Sequence, residues 1–186
     1  MKVYFDTEFT GLHRNTTLIS IGLIAEDGRT FYAESSEYDK KQVDDWLQRN
    51  VIDNLIFNQY YRFQDIESPL KGFKQFTNYS VELKADNKII ARELKYWLEQ
   101  FDEVEIWSDC LAYDWVLFNE LFGGAMSIPS NVYYIPFDLC TLFKLKGIDP
   151  DISREEFSNL KLSKHNALDD AIIIKKCYEK ALKEEI

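Results

Sequence analysis

Three groups of residues have the types and spacing to do chemistry. Asp6 and Glu8 stand two apart in KVYFDTEF, residues 2–9, a β-branched and aromatic stretch that reads as a strand. Side chains at i and i+2 share one face of a strand, so two carboxylates project from the same side. Such a pair repels itself and is costly to bury. Hard divalent cations prefer oxygen ligands and would remove that cost. A solvated strand face is the commoner fate of an Asp-x-Glu pair, and the spacing alone favours it. The second group is Asp114 in AYDWVLF, residues 112–118. It opens a helix, where an aspartate is equally a good N-cap. The third is His165 and Asp170 in HNALDDA, residues 165–171. Within one helix, five residues turn through about 140°. The two converge only if His165 lies in the loop before the helix and Asp170 on its first turns, where carboxylates are well tolerated. Taken alone, His165 reads as a cap or surface histidine. Asp109 and Asp169 are rivals of Asp114 and Asp170.

The elements that must position these groups follow from the pattern. Residues 17–26 (TLISIGLIAE) are almost continuously apolar, as a buried central strand should be. Asp27-Gly28 is a strong hairpin turn, and residues 29–35 return as a third strand, giving an antiparallel meander. Residues 39–49 suggest a helix. Residues 86–101 make a clearer one, with Ile90, Leu94, Trp97, Leu98 and Phe101 on one face. A short strand at 103–108 is followed by a helix over 112–122 that ends at Gly123-Gly124. Residues 132–137 (VYYIPF) read as a fifth strand, with Pro136 marking its end or an edge. A last helix runs from about 166 to 184, its buried stripe marked by Leu168, Ala171, Ile174, Tyr178 and Leu182. A meander followed by alternating strands and helices predicts a mixed sheet flanked by helices. Neither a repeat nor an internal boundary is visible, so residues 1–186 are expected to form a single domain.

The bulk numbers exclude some roles. A net charge of −10 over 186 residues argues against a protein that coats long nucleic acid. It leaves room for one that holds divalent cations and grips a short or terminal substrate. Cys110, Cys140 and Cys177 are odd in number and widely spaced, without a CxxC, which reads as reduced thiols in a cytoplasmic protein. The N-terminus becomes acidic too early for a signal peptide, and no apolar run is long enough to span a membrane.

In content and order, FDTEFTGL at 5–12, AYDWVLF at 112–118 and HNALDDA at 165–171 resemble the three exonuclease motifs of the DEDDh superfamily. That superfamily includes oligoribonuclease, RNase T and the proofreading subunit of bacterial DNA polymerase III. The arrangement WSDCLAYDW at 107–115 is most similar to the small mycobacterial exoribonuclease group and its phage exonuclease A relatives. The resemblance extends from residue 3 to about 180, with no match over 37–85. It implies a ribonuclease H-like five-stranded mixed sheet and a 3′→5′ exonuclease acting on 3′ ends of single-stranded RNA or DNA, RNA favoured. It also implies two divalent cations, Mg²⁺ or Mn²⁺. Asp6, Glu8 and Asp170 would ligate one, Asp6 would bridge to the second, and Asp114 would act through the second or its waters. His165 would be the general base, and the family's His-x4-Asp spacing selects Asp170 over Asp169. Phe9 and Leu12 would meet the terminal nucleotide, with core packing an equal reading for Phe9. Homodimers recur among relatives, so a second copy is an expected partner. An exodeoxyribonuclease, a catalytically inert nucleic-acid-binding module and a ribonuclease H-like endonuclease are the competing readings. Seven aromatics between 57 and 79, with Lys and Arg enriched over 71–95, suggest either base stacking or, more often for such a patch, core or dimer packing.

Overall fold

In the computed structural model, residues 1–58 and 80–183 are described, together with the backbone of 73–76. Seven strands form one sheet: β1 (Lys2–Phe9), β2 (Leu18–Ala25), β3 (Thr30–Ser35), β4 (Phe73–Phe76), β5 (Ser80–Ala85), β6 (Glu105–Ser108) and β7 (Phe137–Asp138). Their order across the sheet is β4-β5-β3-β2-β1-β6-β7. The meander is antiparallel through β1, β2 and β3, whereas β6 runs parallel to β1 and β7 parallel to β6. This is the expected ribonuclease H-like mixed sheet. It is widened by β5, parallel to β3, and by β4, antiparallel to β5.

Helices cover both faces. On one, α2 (Asn87–Leu98) lays Ile90, Leu94, Trp97 and Leu98 against Val3, Phe5, Leu23 and Phe31. Its N-cap Asp86 accepts a hydrogen bond from the Ile89 N–H at 2.8 Å, which satisfies a donor that the first turn otherwise leaves open. Leu117 and Phe118 of α3 (Ala112–Leu121) join the same core. On the other face, Tyr4 packs with α4 (Leu139–Leu145), α5 (Arg154–Ser158) and α6 (Ala167–Lys183) through Leu139, Phe143, Phe157, Ile173, Ile174 and Cys177.

Several expectations are corrected in detail. The helix expected over 39–49 is a short 3-10 turn at Lys40–Gln42 and then α1 (Asp45–Asn50). Val43 is extended between them, and Asp44 starts α1 by capping the Leu47 N–H at 2.8 Å. The strand expected over 132–137 shrinks to a bridge between Val104 and Val132 plus β7. Proline has no N–H to donate to a ladder, and Tyr133, Tyr134 and Ile135 beside it are exposed. In α6 the buried stripe runs through Cys177 and Ala181, while Leu182 is exposed. Of the aromatics between 57 and 79, Phe57 is buried and stacked on Tyr32. The side chains of the other six lie outside the described residues. No helix among the described residues is long and apolar enough to cross a membrane.

Candidate active site

The site forms where β1 outruns a neighbour. β6 pairs with β1 only from Lys2 to Tyr4, so the outer edge of β1 is free from Phe5 onward. In an open α/β sheet, the carboxyl ends of strands beside such a divergence are where ligands are held. Asp114 fills the edge: its Oδ1 accepts the Thr7 N–H at 3.0 Å and the Thr7 hydroxyl at 2.6 Å. Asp114 is the third residue of α3, and its N-cap is Leu111, so the alternative of Asp114 as a cap is set aside. Strand alternation turns Thr7 into the core, where it is buried, and leaves Asp6 and Glu8 on the face toward α6. The register of β1 with β2 shifts between Glu8 and Phe9. Irregularities of this kind re-aim side chains next to active sites.

α6 reaches this face because of Gly22. Gly22 pairs with Asp6 across β1 and β2, and a Cβ placed on it would stand 2.3 Å from the Ala167 carbonyl carbon and the Leu168 nitrogen. Only a residue without a side chain lets the helix start this close. A glycine inside an otherwise bulky strand was the available signal. Asn166 caps the helix, its Oδ1 accepting the N–H groups of Leu168 and Asp169 at 3.1 and 3.2 Å. Asp169 is taken up by the Ser163 N–H at 3.0 Å, whereas Asp170 faces β1. One oxygen each from Asp6, Glu8 and Asp170 lies within 4.8 Å of the others.

These carboxylates meet no ion-pairing Lys or Arg among the described residues. Burial, then the charges of Asp114, Glu8 and Asp170, hold the Asp6 carboxyl well above the usual carboxylate range. Burial, then Asp170 and Asp114, push Glu8 up to about 8. Burial, then Asp169, push Asp170 up to about 7, and burial also raises Asp114. Three converging oxygens without an ion pair among the described residues fit a hard divalent ion by donor type and charge.

His165 lies in the turn before α6, at φ 57°, a left-handed conformation that histidine tolerates better than branched residues. It shares with Asp170 a hollow of about 200 Å³ that is also lined by Ser153, Arg154, Glu155, Lys164 and Ile173. Burial, then the Lys164 charge, lower its pKa, which favours the neutral imidazole. Trp46 of α1, half exposed, packs edge-on against the ring with centroids 5.0 Å apart. Sequence reasoning passed over this tryptophan because nothing local ties residue 46 to residue 165. Phe9 stacks on Tyr113 at 5.6 Å, and Leu12 is 76% exposed. The loop carrying Leu12 is held by hydroxyls, with the Gly11 N–H donating to Thr16 at 3.0 Å and the Thr17 N–H to Thr10 at 2.8 Å. Asp109 is paired with Arg154 at 2.6 Å.

A ribonuclease H-like sheet with acidic residues gathered at the carboxyl end of β1 fits a nuclease class. Within that class, the chain belongs to the family described as the 3′-5′ exoribonuclease Rv2179c-like domain, whose model matches residues 1–182. It is 30% identical over 150 residues to the 3′-5′ exoribonuclease Rv2179c of Mycobacterium tuberculosis strain H37Rv, covering 79% of this chain and 76% of the relative. The same figures hold for the 3′-5′ exoribonuclease MT2234.1 of Mycobacterium tuberculosis strain CDC 1551. Among solved structures, the Neurospora crassa Pan2 catalytic unit (protease and nuclease domain) aligns with 98% of this chain and 27% of its own, at a TM-score of 0.43 and 12% identity.

Proposed function

We propose that this protein is a single-domain 3′→5′ exoribonuclease that releases nucleoside 5′-monophosphates from the 3′ end of single-stranded RNA in the cytoplasm. Family membership supports the reaction class. The observation that carries the chemistry is the convergence of Asp6, Glu8 and Asp170 within 4.8 Å with no cationic partner among the described residues. In this reading Asp6, Glu8 and Asp170 hold one divalent cation, Mg²⁺ or Mn²⁺. Asp6 and Asp114 would hold a second. Bound there, the cations orient the attacking water and stabilise the leaving 3′-oxygen.

The chain's own residues do the rest. His165, kept neutral by burial and Lys164, accepts the proton of the attacking water at a ring nitrogen. Its left-handed turn and the ring contact with Trp46 restrict the imidazole. Asp114 is oriented by two hydrogen bonds from Thr7 and so presents its other oxygen in one direction. Phe9 and Leu12 contact the terminal nucleotide, Leu12 by its exposed side chain and Phe9 through its stack with Tyr113. A shift of substrate to DNA requires no change in these roles.

The test is incubation with 5′-labelled single-stranded RNA and DNA in Mg²⁺ or Mn²⁺. The expected product is an RNA ladder shortening by single nucleotides, absent for Asp6→Asn. Internal cuts, or RNA bound without cleavage, would contradict the proposal, and faster shortening of DNA would reassign the substrate.

A further inference from the structure

Beside the carboxylates lies a second donor cluster of different chemistry. One donor atom each from Asp109, Cys110 and Cys140 lies within 4.8 Å of the others. The two sulfurs are 3.6 Å apart, and the Cys140 Sγ donates to Asp109 Oδ1 at 2.9 Å. In a tetrahedral zinc site with Zn–S arms of about 2.3 Å and a Zn–O arm of about 2.1 Å, two sulfurs stand about 3.8 Å apart and a sulfur and an oxygen about 3.6 Å. The sulfur pair is within a few tenths of an ångström of that edge. The sulfur–oxygen contact is shorter because a thiol proton bridges it, and it can lengthen when that proton leaves.

The charges also balance. Two thiolates and a carboxylate carry three negative charges. Arg154 supplies one positive charge, with Nε 2.6 Å from Asp109 Oδ2 and Nη2 2.9 Å from Oδ1 and 3.1 Å from Cys140 Sγ. The guanidinium is itself anchored on the carbonyls of Pro150 and Ile152 at 2.7 and 2.5 Å. What remains matches a divalent cation, with Arg154 as the outer hydrogen-bonding partner that ligating anions commonly have. Cys110 is exposed, which leaves that side open for entry.

We infer that Asp109, Cys110 and Cys140 bind a thiophilic divalent cation of the zinc class, at a site separate from Asp6, Glu8 and Asp170. Ligand softness keeps the two sites apart: thiolates select zinc-like ions, and an all-oxygen set selects Mg²⁺ or Mn²⁺. The position has a consequence for the neighbouring site. Cys110 lies two residues before α3, which carries Asp114, and Cys140 lies in α4. A cation between them would tie the β6–α3 junction to α4.

The test is Co²⁺ titration of the reduced protein in excess Mg²⁺, read by the near-ultraviolet sulfur-to-cobalt charge-transfer absorption that oxygen ligands cannot give. The expected result is a 1:1 rise that is lost in Cys110→Ser and Cys140→Ser and kept in Cys177→Ser and Asp6→Asn. Because Cys110 is exposed, its serine variant should melt like the parent without metal, and Zn²⁺ should raise the melting temperature of the parent alone. No charge-transfer absorption in the parent, or absorption that survives Cys110→Ser, overturns the inference.

Discussion

Glu8 and Glu34 occupy one row of the sheet and meet opposite fates. Glu8 pairs with Ser20, Ser20 with Glu34, and Glu34 with Lys84, so the two glutamates share a face about 9–10 Å apart. Glu34 is fully buried yet has partners: hydrogen bonds at Oε1 and an ion pair at Oε2. Its Oε1 accepts the Tyr32 hydroxyl at 3.1 Å and the Phe57 N–H at 2.9 Å, and Lys84 lies 3.3 Å from Oε2. Lys84 in turn donates to Asn58 at 2.9 Å. Burial raises the Glu34 carboxyl, and these partners pull against the rise. Glu8 lies with Asp6, Asp170 and Asp114, and among the described residues the influences on it all raise its carboxyl. A buried acid that the fold satisfies fastens the fold together. A group of acids that the fold leaves in mutual repulsion is what the proposed divalent-cation site would need.

The contrast can be broken at several points, taken here from the largest expected effect. His165→Ala should slow turnover by roughly 10²–10⁴, the usual worth of a general base, while the metal-dependent rise in melting temperature stays. Near-parental turnover would remove His165 from the chemistry. Glu34→Gln should act the other way. It strands Lys84 and weakens two hydrogen bonds, costing about 1–3 kcal/mol of stability, and the response to Mn²⁺ should survive. A Glu34→Gln protein that melts like the parent but no longer responds to Mn²⁺ would place Glu34 in the site and erase the distinction.

A smaller effect lies in the pH dependence of the metal-free protein. Glu8 and Asp170 titrate near 4.5 and 3.8 when unperturbed, and near 8 and 7 when folded. The folded state therefore holds its protons to higher pH than the unfolded chain does. The resulting stabilisation is present in full below the unperturbed values and is lost as pH rises through the folded ones. Melting curves in EDTA should fall between about pH 4.5 and pH 8, by a few degrees more for the parent than for Glu8→Gln. Parallel curves would mean that Glu8 is not held in a repelling cluster.

The same two glutamates show how far the sequence could be read. Asp6 and Glu8 were visible because period-two alternation places i and i+2 together whatever the rest of the chain does. The His165–Asp170 pair was legible only as a conditional, because its convergence depends on a left-handed turn at residue 165 that no periodicity announces. Strands β1, β2 and β3 carry strong patterns and came through with boundaries shifted by at most one residue, whereas helix α2, expected over 86–101, ends three residues early at Leu98. β5 did not come through. Its register with β3 is set by long-range pairing, and SVELKA has no turn signal of its own. Glu34 and Lys84, fifty residues apart, went unremarked as a pair in the sequence, and only the sheet brings them side by side. Gly22 and Trp46 were missed for the same reason, since each matters through a partner remote in the chain.

The central claim is that Asp6, Glu8 and Asp170 form a divalent-cation site, and melting temperature with and without Mn²⁺ tests it most directly. A single ion at about 100 times its dissociation constant stabilises by roughly 2.7 kcal/mol. For a chain of this length that is a rise of about 5–11 °C. Asp6→Asn removes a carboxyl whose ionisation the cluster opposes, so in EDTA it should melt at or above the parent, and in Mn²⁺ it should lose most of the gain. Equal Mn²⁺-induced shifts in the parent and in Asp6→Asn would contradict the account, because the ion would then be bound without the residue placed at the centre of its site.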